Sequence, residues 1–498
     1  MKRITEGLIL IAACIIILGG FLINLNYVFI FSFFLGLSVL IKDRITLFIK
    51  VTLLFIMFIP TEIYILPIDM DDIFGKFTFV TCFVTVYVTL FFLFFDSRLK
   101  YRVLNPKIQT IFWGFALYAC LITLRFRGVI GIPLILNNFV APFMLFKLLY
   151  EKLDVKSVKG ILNFYVVIAL VSAVYGIVER IVQFNYLYDF LFNTFPWYMS
   201  QTRFGSYRIF STIGHPLQVN VFYLSTLGVI PFSKFKNNIV VNSIIVLAVI
   251  FTGSRTGMTL AIVFVFIRVI CEAFLTGETK QNGNVIKKIV LLAAPVVLLA
   301  LAYKMGAFDF TLSRFETGAA STEVRTTAVN YITSHYRSYI FGKGMKASYG
   351  IAKSFFGVNH YFENCWVSLI IDVGIIGFAL YLTSIIAVSI MNISLFKKFF
   401  KKAKEIEGVP TSSKLFDVKF NVLTFILLYT ASISSFDSIS LLCNLNYIFF
   451  IFMALMNSLL FHGNDSVKNC LEHRYPTLDL NWSSGKTAPK PGHFYHWK

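Results

Sequence analysis

Three short polar stretches in an otherwise apolar chain carry residue types that could do chemistry. His360, Glu363 and Asn364 stand where a long polar segment ends and a long apolar run begins. Charge beside hydrocarbon is costly, so ionisable groups at such a junction read first as functional. His360 and Glu363 are three apart and share a helix face if the helix already begins there. Either could serve as a general base toward a hydroxyl. Histidine does so near its ordinary pKa, whereas a glutamate needs desolvation to bring its pKa toward ~7. The membrane edge beside Trp366 would supply that desolvation. The plainer alternative is an interfacial polar cluster.

The other two stretches are Arg208-Ile-Phe-Ser-Thr-Ile-Gly-His215-Pro216 and Thr252-Gly-Ser254-Arg255-Thr-Gly257. Each precedes an apolar run that the topology below directs inward. In the first, Thr212 is a candidate cap and Pro216 suits a first helical turn. In the second, Ser254 is the cap and Arg255 opens the helix. Helix starts carry partial positive charge and free N–H groups, so Arg208 and Arg255 would complete anion sites suited to a diphosphate. The alternatives are a capped turn with a snorkelling Arg255, and a His215 hydrogen-bonded at a helix start.

The elements that must position these residues are membrane helices. The chain has 498 residues, 57% of them hydrophobic and only 14% charged. Apolar runs recur near residues 7–23, 27–41, 45–60, 73–95, 108–124, 129–149, 161–181, 213–231, 239–252, 256–275, 286–303, 364–395, 419–435 and 445–461. Most are long enough to cross a bilayer. Their continuity excludes a barrel, so an all-α polytopic protein of about 12–14 spans is expected. Ile11-Ala-Ala-Cys14 resembles a lipoprotein cleavage box, but the apolar run continues past Cys14, so an uncleaved first helix is expected. The seven cysteines show no metal or disulfide spacing. The acidic group Asp69, Asp71 and Asp72 could meet a divalent ion, but a solvated turn is the simpler reading, and no metal or other cofactor is expected.

The net charge of +20 reads as positive-inside topology rather than nucleic-acid binding. Lys42/Arg44, Arg98 to Lys107, Lys147 to Lys159, Lys234/Lys236, Lys280 to Lys288 and Lys397 to Lys404 fall on one face with Lys2 and Arg3. That face is expected to be cytoplasmic, with both termini. The opposite face holds the loops 183–213 and 304–363 and an unusual set of arginines: Arg125, Arg127, Arg180, Arg203, Arg208, Arg255, Arg314, Arg325 and Arg337. The planar guanidinium pairs with phosphate bidentately, as lysine cannot. The expected organisation is an N-terminal membrane bundle over 1–207 and a core over 208–395 that includes the large outer loop. A cytoplasmic loop and membrane pair follow over 396–461, then a polar tail over 462–498 that reads as disordered.

The outer motifs are similar, in order, to those of the bacterial O-antigen polymerase and O-antigen ligase superfamily. RIFSTIGHP resembles its "R…GTF.HPN" segment, and TGSRTG its "T.SR.G" segment. RTTAVNYITSHYRSYIFGKGM, from Arg325 to Met345, resembles its large-loop segment "R…W..A…I..P..G.G". ENCWVSLIIDVGIIG resembles its His-Asn, nine residues, Gly-x-x-Gly pattern. Counted back from Gly374 and Gly377, the Asn is Asn364, and the ligase histidine position holds Glu363. That departure favours the polymerase branch over the ligase.

The resemblance implies a GT-C-type glycosyltransferase of the bacterial inner membrane, with its active site on the periplasmic face. Donor and acceptor would be undecaprenyl-diphosphate-linked oligosaccharides, making O-antigen, capsule or exopolysaccharide, with a flippase and a chain-length regulator as further partners. Glu363, with His360 nearby, would be the base; Arg255, Arg208, Arg325 and His215 would hold the diphosphate. A ligase passing polymer to a lipid A-core acceptor is the alternative within the family. A lipid-linked oligosaccharide flippase is the alternative of another class; it predicts charges deep in several spans and repeated halves, and few such charges and no repeat are evident.

Overall fold

The computed structural model describes residues 8–13, 15, 45–58, 79–95, 103–187, 202–203, 206–214, 216–235, 238–275, 304, 319–356, 362, 364–404 and 446–458. The expected spans 27–41, 286–303 and 419–435, the acidic group at 69–72 and the polar tail lie outside them. The helices are α1 (Ile45–Phe58), α2 (Phe79–Phe95), α3 (Pro106–Arg127), α4 (Ala141–Lys152), α5 (Val155–Val182), α6 (Pro216–Val229), α7 (Ile239–Phe251), α8 (Arg255–Leu275), α9 (Ala319–His335), α10 (Ala347–Phe356) and α11 (Cys365–Lys404). A further helix, α12, covers Asn446–Ser458. The described strands are two dipeptides, β1 (Thr202–Arg203) and β2 (Ser206–Tyr207), paired antiparallel. Pro106–Arg127, Val129–Lys152, Ser157–Val182 and Cys365–Val388 are each long and apolar enough to cross a membrane. The chain is an all-α membrane protein.

Local chemistry sets the helix ends. Asn105 caps α3 by accepting from Lys107 N at 2.9 Å, and Pro106 takes the first helical position. Gly128, at φ 69°, stops α3 where the chain must reverse. Asn238 caps α7 through Val241 N at 3.2 Å.

Side-chain bonds fix the chain directions. Leu104 N donates to Glu151 Oε1, which sets the foot of α3 beside the end of α4. Tyr165 on α5 donates to Phe222 O on α6, and the end of α5 meets the chain just before α6. The helices therefore alternate, and 206–214, 252–254 and the 340–348 turn gather at the end of the bundle where α3 and α5 finish. Rings make much of the core between them: Phe112 stacks on Phe143 at 3.6 Å, and Phe139 meets Tyr381 edge-on at 4.9 Å. The segment before α4 is interrupted by a π-helical turn, Leu136–Val140, whose Asn138 carbonyl accepts from Asn446 on α12. Backbone groups freed inside a membrane helix need such a partner.

Candidate functional site

The Arg208 motif forms an irregular turn, and a single carboxylate holds it. Glu179, 1% exposed at the end of α5, accepts from Phe210 N at 2.8 Å, Ser211 N at 2.7 Å and the Tyr207 hydroxyl at 2.8 Å. Arg180, its neighbour, donates to Tyr207 O. Burial first, and then the Glu179 charge, push the Tyr207 hydroxyl above its ordinary pKa, so it stays protonated and continues to donate. Ser211 sits at φ 50°, a region a non-glycine residue enters only when its surroundings fix it. The fixing groups are Ser172, at 2.8 Å from Ser211 Oγ, and Tyr223, at 3.0 Å. Thr212 is not the cap of α6: the helix starts at Pro216, and the Thr212 hydroxyl bonds Ser172 at 3.1 Å.

The Arg255 motif is the tight link between α7 and α8. Ser254 caps α8 as expected, accepting from Gly257 N at 3.1 Å, while its carbonyl accepts from Met258 N at 2.9 Å. Arg255 is the first residue of α8 and is half-buried. Asn220 of α6 donates to Ser254 Oγ at 3.3 Å, and its buried amide oxygen has no hydrogen-bond partner among the described residues. A Cβ at Gly257 would stand 1.8 Å from that oxygen, so glycine is what lets α6 and α8 close on one another.

These two motifs are bonded to each other. Arg208, 7% exposed, donates Nε to Thr252 O at 2.8 Å, and Ile209 N donates to Phe251 O at 3.3 Å. The structure thus joins Arg208 to the link that presents Arg255, with the starts of two parallel helices, α6 and α8, at one end of the bundle.

The third motif is organised separately. Asn364 caps α11 by accepting from Trp366 N at 3.0 Å and Val367 N at 3.3 Å. Gly374 and Gly377 do not sit as two small residues on one continuous helix. Gly374 has φ 78° and ψ 169°, and α11 breaks there. Its backbone lies against Gly342, with no room at either residue for a Cβ. Asp372, fully buried, reaches across to accept from Lys346 N and Ser348 N.

Nothing matches this chain among family models, curated proteins or solved structures. His215, His360 and Glu363 lie outside the described residues, and of Arg325 only its backbone place on α9 is described. Three of the arginines donate to main-chain carbonyls: Arg127 to Lys346 O, Arg180 to Tyr207 O and Arg208 to Thr252 O. Arg125 and Arg337 lie over the rings of Phe126 and Tyr336.

Glu179, Asp372 and Asn220 were not singled out from sequence. The signal for the two acids was present. Each is an ionisable residue within or at the end of an apolar run, in VERIV and IIDVG. Asn220 gives no such signal, because its role depends on the approach of α8.

Proposed function

We propose that the chain is a GT-C-type glycosyltransferase that polymerises lipid-linked oligosaccharide repeat units at the outer face of the bacterial inner membrane. The observation that carries this reading is the bonded pair of turns: the Arg208 segment and the TGSR link share one end of the bundle, at two helix starts. Helix N-termini and arginines together suit a leaving diphosphate. A hydroxyl oxygen of one lipid-linked unit attacks the anomeric carbon of the chain on another. The bond from that carbon to the undecaprenyl diphosphate breaks, and its electron pair leaves with the diphosphate. Arg255, with Arg325 and His215, neutralises that charge, and Arg208 holds the Thr252 link beside Arg255. Glu363, with His360 three residues before it in the sequence, takes the hydroxyl proton. No metal has a step in this scheme.

The test is complementation of a polymerase-deficient strain by the full chain. Arg255→Ala and Glu363→Gln, expressed at the wild-type level, are expected to leave single-repeat glycans where the wild type makes ladders. Normal ladders from both variants would sink the site assignment. A wild-type chain that restores attached polymer to a ligase-deficient strain, and no ladders to the polymerase-deficient one, would point to ligation instead.

A further inference from the structure

We infer that Asp372 is a positioning residue, the clasp that makes the outer layer, formed by α9, α10 and the turn between them, one rigid unit with the first turns of α11. Helix α10 begins at Ala347, and the residue before it is Lys346, at φ 68° and with no side-chain acceptor. A Ser, Asn or Asp there would cap the helix locally. The cap oxygens come instead from Asp372, on another element. Oδ2 accepts from Lys346 N at 3.1 Å and Oδ1 from Ser348 N at 2.7 Å. Both oxygens of a fully buried carboxylate thus serve one distant turn. From a third element, α3, Arg127 donates to Lys346 O at 2.9 Å and sets its charge near the carboxylate.

The main chain reinforces the tie. Lys343 N donates to Ile371 O and Gly344 N to Asp372 O, both at 2.9 Å, and Ile376 N donates to Ile340 O at 3.3 Å. Gly342 and Gly374 touch backbone to backbone, so no side chain lies between the strands of this crossing to let them slide. The apolar packing has the same division. Val367 and Ile371, before the break, share a small core with Ala328, Ile332, Tyr339, Ala347 and Ala352 of the outer layer. A local cap would stabilise α10 equally well without joining it to anything. A carboxylate supplied from α11 joins the two, with Gly374 as the joint to the rest of the membrane helix. The claim about activity rests on the polymerase reading; the claim about coupling does not.

The experiment is hydrogen exchange on the full chain in lipid nanodiscs, read at 340–372. Asp372→Ala is expected to speed exchange at Lys346 and Ser348 by about tenfold or more, and to speed it at 365–371 as well, leaving 208–214 unchanged. Adding Lys346→Asn, a residue that tolerates positive φ and can cap, is expected to restore α10 but not 365–371. Exchange that rises in α10 alone, or a local cap that restores both segments, would reduce Asp372 to an ordinary cap and overturn the inference. Asp372→Asn keeps an acceptor for Ser348 N and loses the one for Lys346 N, so it gives a milder variant if the alanine fails to fold.

In a polymerisation assay with a lipid-linked repeat unit, Asp372→Ala is expected to lower kcat about tenfold or more with KM within about twofold, unrescued by Lys346→Asn. An unchanged kcat despite faster exchange would refute the link to activity. A wild-type chain with no polymerising activity would sink the functional reading and leave the exchange result to judge the clasp.

Discussion

Replacing Gly257 by alanine tests the packing that presents Arg255. The added Cβ would meet the Asn220 amide at 1.8 Å from Oδ1, 2.4 Å from Cγ and 2.6 Å from Nδ2. Asn220 is 1% exposed, so its side chain has no solvent to retreat into. Moving it breaks the Asn220–Ser254 bond, worth about 1 kcal/mol. Overpacking a closed site adds about 1–3 kcal/mol, and the better helix propensity of alanine returns at most about 1 kcal/mol. The net cost is therefore about 1–3 kcal/mol of stability in the wild-type background.

In an Asn220→Ala background the same substitution meets no amide. It should there be neutral, or favourable by up to about 1 kcal/mol. The two residues are thus expected to couple by about 2–4 kcal/mol, measured as a double-mutant cycle in reversible denaturation of the detergent-solubilised chain. A Gly257→Ala protein as stable as the wild type, or one whose loss is the same with and without Asn220, would refute the argument that this glycine exists to admit the amide.

The remaining predictions concern the carboxylate, the crossing and the first arginine. Glu179→Gln leaves an amide nitrogen facing one main-chain donor, Phe210 N or Ser211 N, and should cost about 1–3 kcal/mol; limited proteolysis should then cut within 206–214, and an uncut turn would count against the carboxylate's role. Gly374→Ala sets a Cβ 2.4 Å from the Phe341 carbonyl carbon and 2.6 Å from Ile340 O at a positive φ. Because those atoms are backbone and cannot rotate away, the folded yield in membranes should fall severalfold, and no substitution at Gly342 should restore it. Arg208→Lys keeps the charge but not the planar Nε donor to Thr252 O. It should cost about 1–3 kcal/mol of stability in thermal denaturation of the detergent-solubilised chain; an unchanged thermal midpoint would refute Arg208 as an anchor.

Much of the architecture was legible because membrane spans are written in long, continuous apolar runs. The run at 108–124 becomes α3, and that at 161–181 becomes α5. Ser254 was readable as a cap because capping depends on residues within one turn. The break in α11 was not readable. Gly374-x-x-Gly377 looks like small residues on a helix face until Gly342, distant in sequence, is known to press against it. The arginines were legible as a set but not in their work. Sequence shows that Arg127, Arg180 and Arg208 lie near span ends, and only packing shows that each donates to a main-chain carbonyl. The roles of Glu179 and Asp372 are not legible in the sequence, because an acid near the end of an apolar run looks like a boundary residue until its burial is known.

The two irregular turns at the end of the bundle where α3 and α5 finish follow one rule. Helices satisfy their own backbone, but a non-helical turn packed against membrane helices has neither a helical partner nor free water. In the turn after β2, Glu179 accepts from Phe210 N and Ser211 N while Arg180 donates to Tyr207 O. In the turn before α10, Asp372 accepts from Lys346 N and Ser348 N while Arg127 donates to Lys346 O. Each turn thus has a buried carboxylate on its N–H groups and an arginine on a carbonyl. A fold that only needed to connect its spans could do so with capped helices and short links, as it does at Gly253. Burying a charge costs several kcal/mol before its bonds offset it, so placing a carboxylate under each irregular turn argues that the shape of these turns is itself required. One of them carries Arg208 to the link that presents Arg255, and the other fixes the start of α10 to the helix that Asn364 begins. The arginine set is therefore divided in function. Arg127 and Arg180 shape the turns, Arg208 joins two of the motifs, and Arg255, at a helix start, is the residue whose position most suits an anionic ligand.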